Sequence, residues 1–469
     1  MHSLAANGNS RLSCWLRVRK FAVPPSMIKS ATARRVAGDW AGACAAARVD
    51  VDLSLRAVAR THGHELAARV RADLRRLAPD LLRWHLPRVA PNGLLRPGLT
   101  ISLARYHPAG PEDGRAVHLV ARTPPAWAEA GQRISLTLWD GLRSEARRGP
   151  HPHPRPDRRF RLDLHRHLWD TRRAGELRVR SGADRPPTAG PLEAVRVETD
   201  LGMPQEHGCA VHRWAAEAEL LLRAEGRPPG PVAVRLGARR RLVLNLPTNG
   251  DATGQPALRI VATAAHGCAT PMPVLPDAAT WVLPDLTLLR AGLVEADDLH
   301  PLVASALVPD HQAAGAGRPG SDGAVPRLVE CRGAQHRIGL VDGILVPLDH
   351  DPTEIRREEL LAALTGTPMP CLRAIDEAHR NPESLDTVRA HLDHGDTAGA
   401  LAAVEGLLGP GALLRDGALR EELETAALRR IAYGLFRTGL AGSGPGPANR
   451  PPGHRPRHHR AHPRHAVAG

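Results

Sequence analysis

The hydrophobic pattern of this chain changes period twice. From Met27 to Pro87 the apolar positions Val58, Leu66, Val70, Leu74, Leu77, Leu81 and Leu82 recur mostly three or four residues apart, the spacing of one helix face. Pro87 and the turn Pro91-Asn92-Gly93 end that pattern. A long middle follows in which short windows alternate or run apolar: Leu99–Leu103, Val117–Val120, Ile134–Leu138, Phe160–Leu164, Leu177–Val179, Val195–Val197, Val232–Leu236, Leu242–Leu246 and Leu258–Val261. Turn dipeptides such as Asp140-Gly141 and Asn249-Gly250 separate them, which predicts antiparallel strands packed as a sandwich. Trp281 to Leu307 returns to helical spacing through Leu286, Leu289, Leu293, Leu299, Leu302 and Val303.

After a Gly/Ala/Pro-rich linker, Leu328–Cys331 and Ile338–Val341 predict a hairpin that Asp342-Gly343 turns into Ile344–Val346. Beyond Pro352 the pattern predicts helices over Glu354–Leu364, Ser384–His394, Thr397–Leu408 and Leu419–Phe436. The fold class expected is α+β: an N-terminal helical segment, a β-rich antiparallel sandwich-like middle and a C-terminal helical segment. In domains, 1–26 is expected disordered, with Met27 as an alternative start to Met1. Residues 27–90 form a helical domain, 97–310 a β-rich body ending in a helix, and 311–326 a linker. Residues 327–440 form a hairpin plus helical cap, and 441–469 a disordered basic Pro/His/Arg tail.

The chain repeats itself once. Gly38-Asp39-Trp40-Ala41-Gly42-Ala43-Cys44-Ala45-Ala46 and Gly395-Asp396-Thr397-Ala398-Gly399-Ala400-Leu401-Ala402-Ala403 differ only at their third and seventh positions. Each reads as a helix start, with Asp as N-cap and an alanine-rich run behind it.

Composition narrows the function classes. Hydrophobic residues make up 42% and aromatic residues 3%, so the cores must be packed from Leu, Val and Ala with a few Trp. The formal net charge of +14 is carried almost wholly by Arg, since lysine occurs only at Lys20 and Lys29. Arg69, Arg71, Arg75, Arg76 and Arg83 lie along the predicted N-terminal helix and are candidate polyanion contacts; duplex backbone binding needs charge, and scarce Phe and Tyr speak against stacking of single strands. The six cysteines, Cys14, Cys44, Cys209, Cys268, Cys331 and Cys371, contain no CxxC pair and read as reduced thiols of a cytoplasmic protein. No apolar stretch approaches the roughly 18 residues that cross a membrane.

Several motifs lack the context their chemistry needs. Asp376-Glu377-Ala378-His379 spells a DEAH box, but the phosphate loop GxxxxGK[ST] that must accompany it is absent. Gly315-Ala-Gly317-Arg-Pro-Gly320 matches GxGxxG inside a linker, with Pro319 within it, where no strand leads into a helix. Asp297-Asp298 are adjacent and point apart on a helix turn, and the histidine-rich tail from His454 to His465 reads as solvated. His207-Gly208-Cys209 with His212, and His266-Gly267-Cys268, are the remaining metal candidates, if two loops met; no closed ligand spacing supports them, so no stoichiometric zinc is expected. No GxSxG elbow or HExxH motif occurs.

The stretch His394 to Val404, followed by Gly411-Ala412 and Arg415-Asp416-Gly417, resembles an ankyrin repeat, with Gly395, Asp396, Gly411, Ala412, Asp416 and Gly417 at the family's turn positions. Thr-Pro-Leu-His is absent and no run of three units exists, although stacking requires one. As a whole the chain is similar to ankyrin-repeat-containing actinobacterial proteins in which such a body precedes the repeats. Ankyrin surfaces bind proteins, so the resemblance implies a binding role. The function expected is a non-catalytic protein–protein interaction or scaffold protein without catalytic residues or cofactor, whose partner is another protein and not a membrane. The alternatives are Arg-mediated, sequence-blind polyanion or nucleic-acid binding, and a metal-dependent enzyme built on the His/Cys loops.

Overall fold

Both copies of the Gly-Asp repeat build the same turn between two helices. In this computed structural model α2 (Pro25–Val36) is followed by α3 (Trp40–Ala46). Gly38 takes φ +80°, the amide of Asp39 donates to the carbonyl of Arg34 at 2.9 Å, and the Asp39 carboxylate accepts from the Gly42 amide at 2.7 Å and from Arg34 at 3.1 Å. The second copy joins helices at Leu385–Asp393 and Thr397–Leu408. There Gly395 takes φ +76°, Asp396 donates back to the carbonyl of His391 at 2.7 Å, and its carboxylate accepts from Gly399 at 3.3 Å and faces His391 at 2.8 Å. The glycine supplies the left-handed residue that ends one helix, and the aspartate caps the next.

The structure describes residues 11–107, 116–141, 151–184, 195–197, 208–236, 241–246, 258–262, 272–311 and 327–440. Contacts divide them into two units: the first from residues 11–126 and 133–311, the second from 127–132 and 327–440. The fold class is α+β.

The first unit has two cores. One joins α1 (residues 11–22, its end Val18–Ala22 a π-turn), α2 and α3 to α4 (Leu55–His62), α5 (His64–Arg76) and α6 (Pro79–His85). These pack with the sheet β1-β6-β5-β4, made of Val49–Val51, Ile134–Trp139, Val117–Arg122 and Thr100–Tyr106. Strands β2 (Arg88–Val89) and β3 (Leu94–Leu95) form a small hairpin between α6 and β4. In β4 every residue from Thr100 to Ala104 is buried, so both faces are covered and the alternation of a half-exposed strand is lost. The second core lies between α8 (Val211–Ala224), which buries Trp214, Ala218, Leu221 and Leu222, and the sheet β7-β10-β9-β8. Those strands are Val195–Val197, Leu258–Ala262, Arg241–Asn245 and Pro231–Arg235. A short helix, α7 (Leu177–Ser181), precedes β7.

Buried charge ties distant elements of this unit together. α9 (Asp277–Thr280), α10 (Pro284–Arg290) and α11 (Pro301–Leu307) close it. Asp285 of α10 accepts from Trp84 Nε1 at 2.7 Å and faces His85 at 3.5 Å. Burial alone would raise the Asp285 carboxyl, but the hydrogen bonds from His85 and Trp84 outweigh it and hold it below its ordinary range. Asp80 meets His300, just ahead of α11, at 3.0 Å. Glu217 on α8 is held low in the same way, with burial opposed by His165 and Arg180.

The second unit opens with the meander β11 (Arg327–Cys331), β12 (Ala334–Val341) and β13 (Ile344–Pro347). Two-residue turns join the strands: Arg332-Gly333 at φ +55° and +81°, and Asp342-Gly343 at φ +49° and +78°, the turn that suits right-handed strand twist. Then come α12 (Pro352–Thr365), α13 (Pro370–Arg380), α14 (Leu385–Asp393), α15 (Thr397–Leu408) and α16 (Ala418–Thr438). One core joins Cys331 and Ile338 of the sheet to Cys371 and Ile375 of α13. Another joins Val388, Ala400, Val404, Leu408 and Leu419 of α14, α15 and α16. Trp127 meets Phe436 edge-on at 5.5 Å.

Four expectations change. The two larger sheets do not form a sandwich, because each is covered by helices in its own core. Residues 27–90 are not a separate helical domain; they share a core with β4, β5 and β6. Residues 11–22 are helical and bury Cys14, Val18, Phe21 and Ala22, a stripe masked in the sequence by the basic residues between. Leu177–Val179 is helical, and Phe160–Leu164 is irregular apart from a bridge at Arg161. The tail 441–469 and linker residues 312–326 lie outside the described residues. No described helix is long and apolar enough to cross a membrane.

Candidate metal centre

Three side chains that the sequence leaves unconnected meet in the second unit. Cys331 is the last residue of β11, His350 precedes α12, and Cys371 lies in the first turn of α13. Their ligand atoms all lie within 4.8 Å of one another, the one such His/Cys/Asp/Glu group among the described residues. The pleat explains the placing of Cys331. It pairs with Ala334, so it shares a face with His336 and Ile338, and that face is the one α13 covers. Pro370 opens α13, which turns Cys371 onto the sheet beside Ile375.

The geometry suits one tetrahedral cation. Cys371 Sγ is 3.5 Å from His350 Nε2. Sulfur and nitrogen ligands of one tetrahedral zinc, at bond lengths of about 2.3 and 2.0–2.1 Å, stand about 3.6 Å apart. His350 Nδ1 faces Glu354 Oε2 at 3.4 Å, which leaves Nε2 for the cation, the carboxylate–histidine arrangement of metal sites. The other oxygen of Glu354 accepts from Arg332, the residue after Cys331 in the turn, and Arg332 also reaches Glu358. His336 stacks on the His350 ring at 4.2 Å, and its Nδ1 is buried without a hydrogen-bond partner. Both thiols are fully buried, and the His350 side chain is 3% exposed. Burial and the neighbouring Cys331 push the Cys371 thiol up to about 12.

The residues singled out from sequence lie elsewhere. Cys209 is half-buried and its backbone forms a β-bridge with Trp281, and His212 lies in the first turn of α8 against Gly182. His207, His266 and Cys268 lie outside the described residues, as do the GxGxxG stretch and the tail histidines. Of the candidate polyanion contacts, Arg83 is fully buried and donates to the carbonyl of Ala22, so it is withdrawn as a surface contact. Arg69 reaches the carbonyl of His107, while Arg71 and Arg75 are exposed and Arg76 is half-buried. Asp376 of the DEAH stretch lies within α13 and pairs with Arg380 and Arg415. Asp298 caps Glu295, and Asp297 meets His311 at 2.6 Å.

Cys331 and Cys371 show no short ligand spacing in the sequence; a hairpin, two helices and their packing bring the pair together. Compared with known protein families, curated proteins and solved structures, the chain matches none.

Proposed function

We propose that this protein is a non-catalytic interaction protein whose second unit is organised by a zinc-class cation on Cys331, His350 and Cys371. The convergence of these three ligand atoms with Glu354 behind the imidazole carries the reading. Two thiolates and one imidazole are soft and borderline donors, the set that favours zinc over magnesium or calcium. The fourth position falls to water or to a residue of a partner. A cation there would join three chain segments, the hairpin end, the start of α12 and the start of α13.

The partner surface in this reading is α12. None of its residues is buried, and Leu360, Leu361 and Leu364 are 65%, 49% and 86% exposed on one side. A helix of about 14 residues is marginal by itself in water. This one is held at its N-terminal end by the Asp351 cap and by Glu354 and Glu358, and it offers three leucines to an apolar groove. The turn-linked helices α14 and α15 and the ankyrin resemblance support the same binding role.

Elemental analysis of the full chain, purified under reducing conditions, tests the reading. We expect one zinc per chain, lost in Cys331→Ser and Cys371→Ser and retained in Cys209→Ser. A wild-type chain that takes up no zinc from micromolar solution would overturn it.

A further inference from the structure

The first unit carries a second site of different chemistry, independent of the metal centre. A cleft of about 290 Å³ is lined by Arg105, Arg158, Glu225, Arg227, Pro273 and Val274. It sits where the two cores of the unit adjoin. Arg105 is on β4 between Ala104 and Tyr106 of the first core. Glu225 and Arg227 follow α8, whose Leu221 and Leu222 belong to the second. Such junctions are common places for ligands, and the volume is at the small end of the roughly 300–1,000 Å³ range of small-molecule sites.

Charge decides what the cleft would take. Three arginines and one glutamate line the cleft, and that carboxylate is already engaged. Glu225 accepts from Arg161 at 2.9 Å, and Arg227 lies 3.5 Å from its other oxygen. Arg161 is itself tied to Asp163 at 2.7 Å. No described carboxylate among the lining residues balances Arg105 and Arg158. Arginine forks match the oxygens of a phosphate group, and two unbalanced positive groups match a dianion.

We propose that this cleft binds a phosphate group, either inorganic phosphate or the terminal group of a small phosphomonoester. The helical arginines read from sequence as polyanion contacts do not line this cleft; the arginines that do come from a strand, a loop and a helix end.

Isothermal titration and thermal shift of the full chain test it, with inorganic phosphate, glycerol 3-phosphate and a mixed-sequence DNA duplex added at ionic strength fixed with chloride. We expect phosphate and the monoester to bind near one per chain and to raise the melting temperature. Arg105→Gln and Arg158→Gln should each weaken binding at least tenfold, that is by about 1.4 kcal/mol or more. Arg290→Gln, which removes the same charge from an exposed position on α10, should leave binding unchanged. Both cleft positions are exposed, so these variants should melt like the wild type without ligand. If phosphate does no more than chloride, if Arg290→Gln weakens binding as much as the cleft variants, or if the duplex alone binds, the proposal is overturned.

Discussion

Gly38 and Gly395 occupy the same position of the same turn with nearly the same φ, +80° and +76°. Their surroundings differ. A Cβ added at Gly38 meets nothing within 4 Å, whereas one at Gly395 would run into the backbone of Gly131. Gly38→Ala should therefore cost about 1–2 kcal/mol, the penalty of a left-handed alanine. Gly395→Ala should cost more, because backbone must move as well. Urea unfolding of the two variants separates these outcomes; equal losses would show that the approach to Gly131 does not constrain the turn. Cys371 offers a second test at this scale. Its folded-state thiol is raised from 9.0 to about 12, so the folded chain keeps a proton that the unfolded chain releases first. This contribution is fully present below pH 9 and is lost as pH climbs toward 12. The metal-free protein should lose stability over that window, and Cys371→Ala should lose less of it. An unchanged alkaline slope in Cys371→Ala would contradict the assignment.

At the scale of elements, α12 is the weakest-held piece of the second unit. It buries no residue, and its anchors are exposed ion pairs from Arg332, which is 53% exposed. Such pairs are worth about 0–1 kcal/mol each, so Arg332→Ala should barely change global stability. It should instead speed amide exchange several-fold within Pro352–Thr365 and leave α15 unchanged. Uniform exchange changes across both helices would show that α12 is not separately anchored.

Elements were legible where local signals agreed with burial. Thr397–Leu408 has its aspartate cap and alanine run in sequence, and the helix spans those residues. Most strands of the middle also stand where alternation put them, as in Pro231–Arg235 and Arg241–Asn245. Leu177–Val179 misled because three alternating residues cannot distinguish a strand from one helical turn. The sandwich failed because strand windows say nothing of what covers them; here helices did. The candidate centre was illegible for a related reason. Cys331 and Cys371 are placed by strand pleat and helix docking, which leave no short spacing to read.

For the whole molecule, each unit has its own cores, and the cation of the proposed function would belong to the second. Chelation should therefore loosen residues 327–440 and leave exchange in the buried strands Thr100–Tyr106 and Val117–Arg122 unchanged. The central claim is the ligand set itself, and zinc K-edge absorption spectroscopy of the zinc-loaded full chain reads it most directly. The account predicts two sulfur ligands at about 2.3 Å with nitrogen or oxygen at about 2.0–2.1 Å. A shell of nitrogen and oxygen alone, or one with a single sulfur, would contradict it.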